Sequence, residues 1–408
     1  MPLTPDALAT ARSALATAFD GGAPVEFTAD GTVALRPQAR DPARCGHPDA
    51  VAVVRTSGST GTPKEIVLTR GALRASAAAT AQRLGGEGTG GEGHWLLAVG
   101  VHYVAGLAVL SRTIAAGTAP VALPPGPFTP AAFAAGAARL PDDGGPRFVS
   151  LVPTQLARLL APGADPAGVA ALRAFDRVLV GGARLAPELR ASAEAAGVRV
   201  TATYGMAETC GGCVYDGVPL PGVTADTVPS DPADPAASPR VRLAGPMVAA
   251  GYLDDPVRTA AHFPRGADGA PAFLTEDTGT VSGTPDGGTR LSVTGRLDDV
   301  VITGGVKVSA AAVAAALEAH PGVAAAHVAG VADPEWGQRL CAAVVPAEGD
   351  VLPGGALPAA LEDELRSRVR TGLGPAAVPK TWLALDALPL LSTGKTDRQE
   401  LTRRFAEA

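Results

Sequence analysis

The sequence predicts an α/β protein in two parts, a large N-terminal domain of layered sheets and helices over residues 1–297 and a smaller α+β domain over residues 298–408. Three observations carry that expectation. Short β-like runs alternate with helical stretches rich in Ala, Leu and Arg as far as Thr203, the pattern of α/β layers. Beyond Arg296 the pattern restarts as helix, strand, strand, helix and strand over about 110 residues, an ordinary domain size. The 408 residues have room for two or three such domains.

Taken in order, residues 1–22 read as a short amphipathic helix without the basic start and apolar block of a secretory signal. Residues 51–54 are β-like and enter a Ser/Thr/Gly loop at 56–61, after which 71–84 look helical. Strand, polar loop, helix is the order of an α/β phosphate site. Further β-like runs stand at 95–99, 148–152, 178–180 and 198–203, and 229–239 is a Pro/Asp/Ala-rich loop. Past a boundary near Leu297 come a helix near 309–320, strands near 323–331 and 340–345, a helix near 359–371 and a strand near 381–385. No internal repeat is visible.

Composition removes several classes of function. A formal net charge of -6 leaves no basic footprint for nucleic acid. The 46% hydrophobic and 18% charged residues describe a globular chain. The most apolar stretch, 95–110, is interrupted by His102 and Tyr103 and is shorter than the roughly 20 residues of a membrane span. Four cysteines without an export signal suggest reduced thiols and a cytoplasmic protein. Oligomeric state stays open, a homo-oligomer included. Of 34 basic residues only Lys64, Lys307, Lys380 and Lys395 are lysines, so each remaining lysine marks a position that arginine does not fill.

The strongest local signal is Thr56-Ser-Gly-Ser-Thr-Gly-Thr-Pro-Lys64. Hydroxyls, Thr56, Ser57, Ser59 and Thr60 among them, surround Gly58 and Gly61, whose small size lets backbone N–H groups approach an anion, and Lys64 ends the run with a cation. A polyphosphate needs those groups. It is not a Walker A loop, because Pro63 precedes the lysine and Glu65 follows it. Glu208, after an aromatic-Gly turn, offers the hard oxygen that Mg2+ on phosphates requires. Asp277 can accept two hydrogen bonds from a vicinal diol, and Arg296 presents a fork of donors to ribose or phosphate. Taken singly, these are equally a helix-start charge, a turn aspartate and a surface arginine. Lys395, in a Ser-Thr-Gly loop near the C-terminus, would by itself read as a solvated lysine.

The nonapeptide resembles the signature of the adenylate-forming superfamily of acyl-CoA synthetases, luciferases and peptide-synthetase adenylation domains, and five further segments match in order between Val51 and Leu401. They are Gly181-Gly-Ala183, Tyr204-Gly-Met-Ala-Glu-Thr209, Glu276-Asp-Thr-Gly279, Gly295-Arg-Leu-Asp-Asp299 and Ser392-Thr-Gly-Lys-Thr-Asp-Arg398. The resemblance implies an adenylate-forming ligase fold with a mobile C-terminal domain, and ATP, Mg2+ and coenzyme A as co-substrates. It puts residues 56–64 on the ATP phosphates and Gly181, Gly182 and Ala183 beside adenine. Tyr204 would stack on adenine, with Gly205, Met206 and Thr209 in the same motif. Glu208 would bind the metal, Asp277 and Arg296 the ribose, and Lys395 would be the adenylation lysine. Asp298 becomes the hinge, and Gly304 and Gly305 the wall of a pantetheine tunnel. Val306 and Lys307 depart from the Glu-Asn common there, and in isolation the two glycines are a simple turn.

Within that family the string from Thr203 to Gly217, residues 150–156 and the early phosphate loop resemble the short-form o-succinylbenzoate–CoA ligases. That implies activation of a small carboxylic acid, o-succinylbenzoate, for menaquinone biosynthesis. His102, Thr154, Gln155 and Arg158 are then the candidates for the acyl substrate, its second carboxylate included; an amphipathic helix would equally put Arg158 in solvent. An aryl- or fatty-acid-CoA ligase, an adenylation enzyme loading a carrier protein and a non-enzymatic ATP sensor are the alternatives. Cys210-Gly-Gly-Cys213 has half a metal site's spacing but no histidine nearby, and Gly86-Glu-Gly-Thr-Gly-Gly91 follows a helical stretch rather than a strand, so neither is read as a site.

Overall fold

A computed structural model of the chain describes residues 3–56, 64–85, 93–230, 238–266, 269–285, 287–347, 355–390 and 396–408, without the side chain of Asp298. Of the candidate site residues, Ser57, Gly58, Ser59, Thr60, Gly61 and Lys395 lie outside the described residues. The chain divides into two compact units, Met1–Asp226 with Arg242–Thr275 and Val281–Leu291, and Thr227–Val241 with Glu276–Thr280 and Ser292–Ala408.

The first unit opens with helix α1 (Pro5–Phe19), begun by the Thr4 side chain and a proline in its first turn. Strands β1 (Val25–Phe27), β2 (Val33–Leu35), β3 (Ala50–Thr56) and β4 (Lys64–Thr69) and helix α2 (Arg70–Gly85) follow. Strand and helix then alternate through β5 (His94–Leu97), α3 (Val104–Ala115), β6 (Val121–Ala122), α4 (Pro130–Ala137) and β7 (Arg147–Leu151). They continue through α5 (Pro153–Leu160), α6 (Pro166–Arg173), β8 (Arg177–Val180), α7 (Pro187–Ala195) and β9 (Val200–Met206). Shorter strands come next, β10 (Gly211–Tyr215), β11 (Val218–Pro219), β12 (Thr224–Val228), β13 (Arg240–Ala244) and β14 (Gly251–Tyr252). Helix α8 (Pro256–His262) and strands β15 (Ala272–Gly283) and β16 (Thr289–Arg296) close this stretch, in which residues 227–241, 276–280 and 292–296 belong to the second unit.

A seven-stranded sheet runs β11-β10-β9-β8-β7-β5-β6, with β9, β8, β7, β5 and β6 parallel. Phe133, Leu156, Leu159, Leu172 and Phe175 of its helices and the turn after α6 bury against Val149, Leu151, Val178 and Val180. A second sheet runs β14-β4-β3-β1-β2, and β12-β13-β15-β16 form a third of four strands. One expectation is corrected here. The run after the phosphate loop does not pass straight into a helix: residues 64–69 form β4, antiparallel to β3 with Thr56 opposite Lys64, so the loop joins the two arms of a hairpin. Ile66, Val67 and Leu68 are fully buried, and that burial holds the run extended before α2 begins.

In the second unit β17 (Val300–Thr303), β18 (Val306–Ser309), β19 (Val323–Asp333), β20 (Gly337–Pro346) and β21 (Thr381–Ala384) form a sheet, with β21 parallel to β20. Helices α9 (Ala310–Glu318), α10 (Ala359–Leu373) and α11 (Arg398–Glu407) cover it. Alternation along β20 divides its two faces. Leu340, Ala342 and Val344 pack with Val313, Leu317, Leu365 and Val369, while Cys341 and Ala343 pack with Leu401 and Phe405. Ser309 caps α9 by accepting from the Ala312 N–H at 3.2 Å. No helix among the described residues is long and apolar enough to cross a membrane.

Candidate active site

Residues directly opposite one another on antiparallel strands share a face, and so do residues two apart on one strand. Tyr252 of β14 lies opposite Ile66, and Lys64 lies opposite Thr56, so Thr56, Lys64, Ile66 and Tyr252 occupy one face of the five-stranded sheet. The Lys64 Nζ stands 5.7 Å from the centre of the Tyr252 ring, within reach of a cation–π contact. The Tyr252 hydroxyl donates to Glu208 Oε1 at 2.8 Å. Glu208 is 7% exposed, and its carbonyl accepts the Ala249 N–H at 2.9 Å. Thus the structure joins the ends of the phosphate hairpin to the carboxylate expected to hold Mg2+, through a tyrosine that the sequence reading missed. Nothing local distinguishes that tyrosine; the pairing of β14 with β4 brings it in.

Glu208 owes its position to a tight turn. Strands β9 and β10 pair with Met206 opposite Gly211 and Gly205 opposite Gly212. A β-carbon on Gly205 would stand 2.2 Å from the Gly211 carbonyl oxygen, so only glycine fits. Thr209, expected at the nucleotide, is fully buried instead: its hydroxyl accepts from the Met206 N–H at 3.0 Å and donates to the Gly211 carbonyl at 2.8 Å. Its described contacts fix the turn. Met206 and Tyr204 are partly exposed on the same strand.

The other candidates of the first unit gather at the carboxyl ends of the parallel strands, where open α/β sheets bind ligands. His102 follows β5, Thr154 and Gln155 begin α5 after β7, Gly181, Gly182 and Ala183 follow β8, and Tyr204 lies near the end of β9. Gly181 packs so closely that a β-carbon would lie 2.3 Å from Thr203 Oγ1, and Gly182 takes a positive φ of 84°. The Gln155 side chain is committed to backbone: its Oε1 accepts from the Val152 N–H at 3.0 Å and its Nε2 donates to the Ala98 carbonyl at 2.8 Å. It therefore braces the ends of β5 and β7. Arg158 is exposed and donates to the Phe128 carbonyl at 3.2 Å, the solvent alternative left open for it. The His102 ring lies 3.8 Å from that of Tyr103, and burial lowers its pKa, so the neutral imidazole is favoured. Cys210 and Cys213 are buried; burial raises both thiols, Cys213 to about 12, which makes them packing residues rather than nucleophiles.

In the second unit Arg296 donates to Asp277 Oδ1 at 3.1 Å, and Asp277 is 8% exposed. The two residues expected at a ribose are therefore partners of each other. Beside Asp298, whose side chain lies outside the description, Asp299 is gripped by the Arg398 fork at 2.5 and 3.2 Å. Gly304 and Gly305, with φ of 56° and 80°, form the two-residue turn between β17 and β18. A β-carbon on Gly304 would sit 3.0 Å from the Trp336 ring.

Glu208 fits a magnesium ion that arrives with a nucleotide. Among the described residues no group of three or more His, Cys, Asp or Glu could hold a metal alone, so phosphate and water oxygens would complete the shell, as Mg2+ prefers.

A family model described as AMP-binding enzyme matches residues 5–253, and one described as AMP-binding enzyme C-terminal domain matches residues 312–395. A probable 2-succinylbenzoate–CoA ligase of Mycobacterium tuberculosis (strain CDC 1551 / Oshkosh) is 41% identical over 363 residues, 88% of this chain and 85% of that one. A feruloyl-CoA synthase from Amycolatopsis sp is 33% identical over 264 residues, 64% of this chain and 48% of that one. Among solved structures, o-succinylbenzoate CoA synthetase from Bacillus subtilis in complex with the acyl-adenylate intermediate OSB-AMP aligns with a TM-score of 0.66 at 26% identity, covering 86% of this chain and 69% of that one. The chain belongs to the AMP-binding enzymes, the family of adenylate-forming acyl-CoA ligases.

Proposed function

We propose that the chain is an ATP-dependent o-succinylbenzoate–CoA ligase of menaquinone biosynthesis, acting in the cytoplasm on Mg-ATP, coenzyme A and the free acid. In the first step a carboxylate oxygen of the acid attacks the α-phosphorus of ATP and pyrophosphate leaves. In the second the CoA thiolate attacks the acyl carbon of the adenylate and AMP leaves. Thr56 and Lys64, with residues 57–61, hold the outer phosphates; Glu208 takes the magnesium; Tyr204 and Gly181 to Ala183 meet the base; Asp277 and Arg296 meet the ribose. Lys395 meets the charge that shifts during adenylation. Asp298 is the hinge, and Gly304 and Gly305 line the thiol channel.

The observation that supports this reading is the Glu208 carboxylate, buried and held by Tyr252 on the sheet face that bears Thr56 and Lys64. The choice of acid draws on the likeness to the Mycobacterium relative across most of both chains. His102 and Thr154, at the carboxyl ends of β5 and β7, are the residues open to contact with the acid.

The likeness to a feruloyl-CoA synthase favours an aryl acid as the second reading. Incubation with ATP, Mg2+ and CoA beside o-succinylbenzoate, benzoate or a medium-chain fatty acid, read by mass spectrometry of the thioester, separates the two. The proposal expects o-succinylbenzoyl-CoA to dominate; equal turnover of the three acids would defeat it. If adenylate accumulated and free CoA were left unconsumed, the acceptor would be a carrier protein.

A further inference from the structure

On the face of the phosphate hairpin opposite Thr56 and Lys64, four charged residues close a ring. Glu26 of β1 accepts from Arg36 and forms an ion pair with Arg55 of β3 at 2.5 Å. Glu65 of β4 accepts from Arg36 and forms an ion pair with Arg55 at 2.7 Å. Each carboxylate thus bridges both guanidinium groups, and the four charges sum to zero. Arg36 and Glu26 are nearly buried, whereas the Arg55 side chain is 54% exposed. Arg55 and Glu65 are cross-strand partners, one register step before Thr56 and Lys64. Because successive side chains point to opposite faces, the ring grips the two arms of the hairpin from behind at the rung next to the one that faces the nucleotide.

We propose that the Glu26–Arg36–Glu65–Arg55 ring is a positioning device: it fixes the separation and register of Thr56 and Lys64, and thereby the grip on the nucleotide phosphates, without touching the nucleotide. The proposal rests on the reading that Lys64 and Thr56 engage those phosphates. Val51 to Val54 and Ile66 to Leu68 are buried, so apolar packing also holds β3 and β4 together. Two buried ions cost desolvation energy that a pair of apolar residues would avoid, so stability alone does not explain them. A rigid ionic lattice at the open end of a hairpin defines position, and small misplacements at a reacting centre are costly.

The test compares Arg36→Met, Arg55→Met and Arg55→Lys with the parent chain, after melting curves establish folding. For each variant the KM for ATP is taken from acid-dependent ATP–pyrophosphate exchange, beside the KM for the acid and the rate of thioester formation from supplied acyl-adenylate. Expected is a rise in the KM for ATP of about tenfold for Arg36→Met and about threefold for Arg55→Met, with the other two quantities within about twofold of the parent. Arg55→Lys, which keeps the charge, should recover most of the loss. Should Arg36→Met fail to fold, Arg55→Met decides, since truncating a half-exposed arm leaves the Glu26–Arg36 pair intact. A folded variant with the parent's KM for ATP, or one in which the KM for the acid rises and the rate of thioester formation falls as much as the KM for ATP rises, would overturn the proposal. A Lys64→Ala variant with an unchanged KM for ATP would remove the underlying reading, and the proposal with it.

Discussion

Replacing Tyr252 by phenylalanine removes one oxygen from the candidate site and little else. The ring keeps its edge contact with Phe263, 5.3 Å between centres, and its place between the Lys64 and Arg258 cations, each 5.7 Å away. What disappears is a 2.8 Å hydrogen bond to a carboxylate that is 7% exposed. Hydrogen bonds to charged groups contribute about 1.5–3 kcal/mol, and at such low exposure bulk water does not replace the donor. The expected loss of stability is therefore about 2 kcal/mol, or a fall in melting temperature of roughly 5 °C for a unit of this size. The hydroxyl also holds one carboxylate oxygen and so aims the other, and loss of that aim should lower kcat/KM for adenylation by about tenfold. Glu208→Gln is the companion variant: it keeps an acceptor for Tyr252, so its melting temperature should stay within a few degrees of the parent, while adenylation falls by about a hundredfold or more as the anionic ligand is lost. Acid-dependent pyrophosphate exchange and thermal unfolding read both variants. If Tyr252→Phe left both readouts unchanged, or if Glu208→Gln exchanged pyrophosphate like the parent, the reasoning from this cluster would be wrong.

Gly205→Ala would drive a β-carbon to within 2.2 Å of the Gly211 carbonyl, with backbone on both sides; adenylation should fall by about a hundredfold and melting should come earlier, as the exchange assay and a melting curve would register. Lys395→Ala should abolish acyl-adenylate formation yet leave thioester formation from supplied adenylate near the parent rate; an equal fall in both half-reactions would remove the lysine's assigned role. His327 is held by burial, with Arg398 adding repulsion, at a pKa of about 4 against an ordinary 6.5, so the unfolded chain takes up its proton first as pH falls. Stability is then complete above pH 6.5 and drains by about 3 kcal/mol as the pH drops towards 4. His327→Gln should flatten that slope in melting curves taken between pH 7.5 and 4.5, and an unaltered slope would assign the acid sensitivity elsewhere.

How legible the site was in the sequence depends on how local its physics is. The turn glycines announce themselves because a close backbone approach or a positive φ is a local demand that the residue type alone answers. Strand β4 did not, because three apolar residues between Lys-Glu and Thr-Arg suit a strand or the start of a helix equally, and only pairing with β3 decides. Tyr252 was invisible for a stronger reason. Its partner Glu208 lies 44 residues away, and the link exists only because β14 adds to the edge of β4. Thr209 and Gln155 show a different side of this: a hydroxyl and an amide inside recognised segments read as ligand contacts, and in the fold they close a turn and brace two strand ends. Polar side chains near a site are often consumed in building it, and sequence cannot divide builders from binders when both are of the same residue type.

The scarce lysines make the same point from the side of charge. In a chain that uses arginine almost everywhere, a retained lysine reads as a functional mark, and Lys64 shares a sheet face with Thr56 and Tyr252. Lys380 keeps other company: its Nζ lies 4.3 Å from the centre of the Trp336 ring, beside the Gly304 turn, within reach of a cation–π contact. A cation over an aromatic ring is a packing arrangement as readily as a part of a site. What separates Lys64 from Lys380 is the company each keeps. One stands at the end of a hairpin with a buried carboxylate reached through its tyrosine; the other stacks on a tryptophan. Residue type narrows the candidates, and the partners that the fold supplies decide among them.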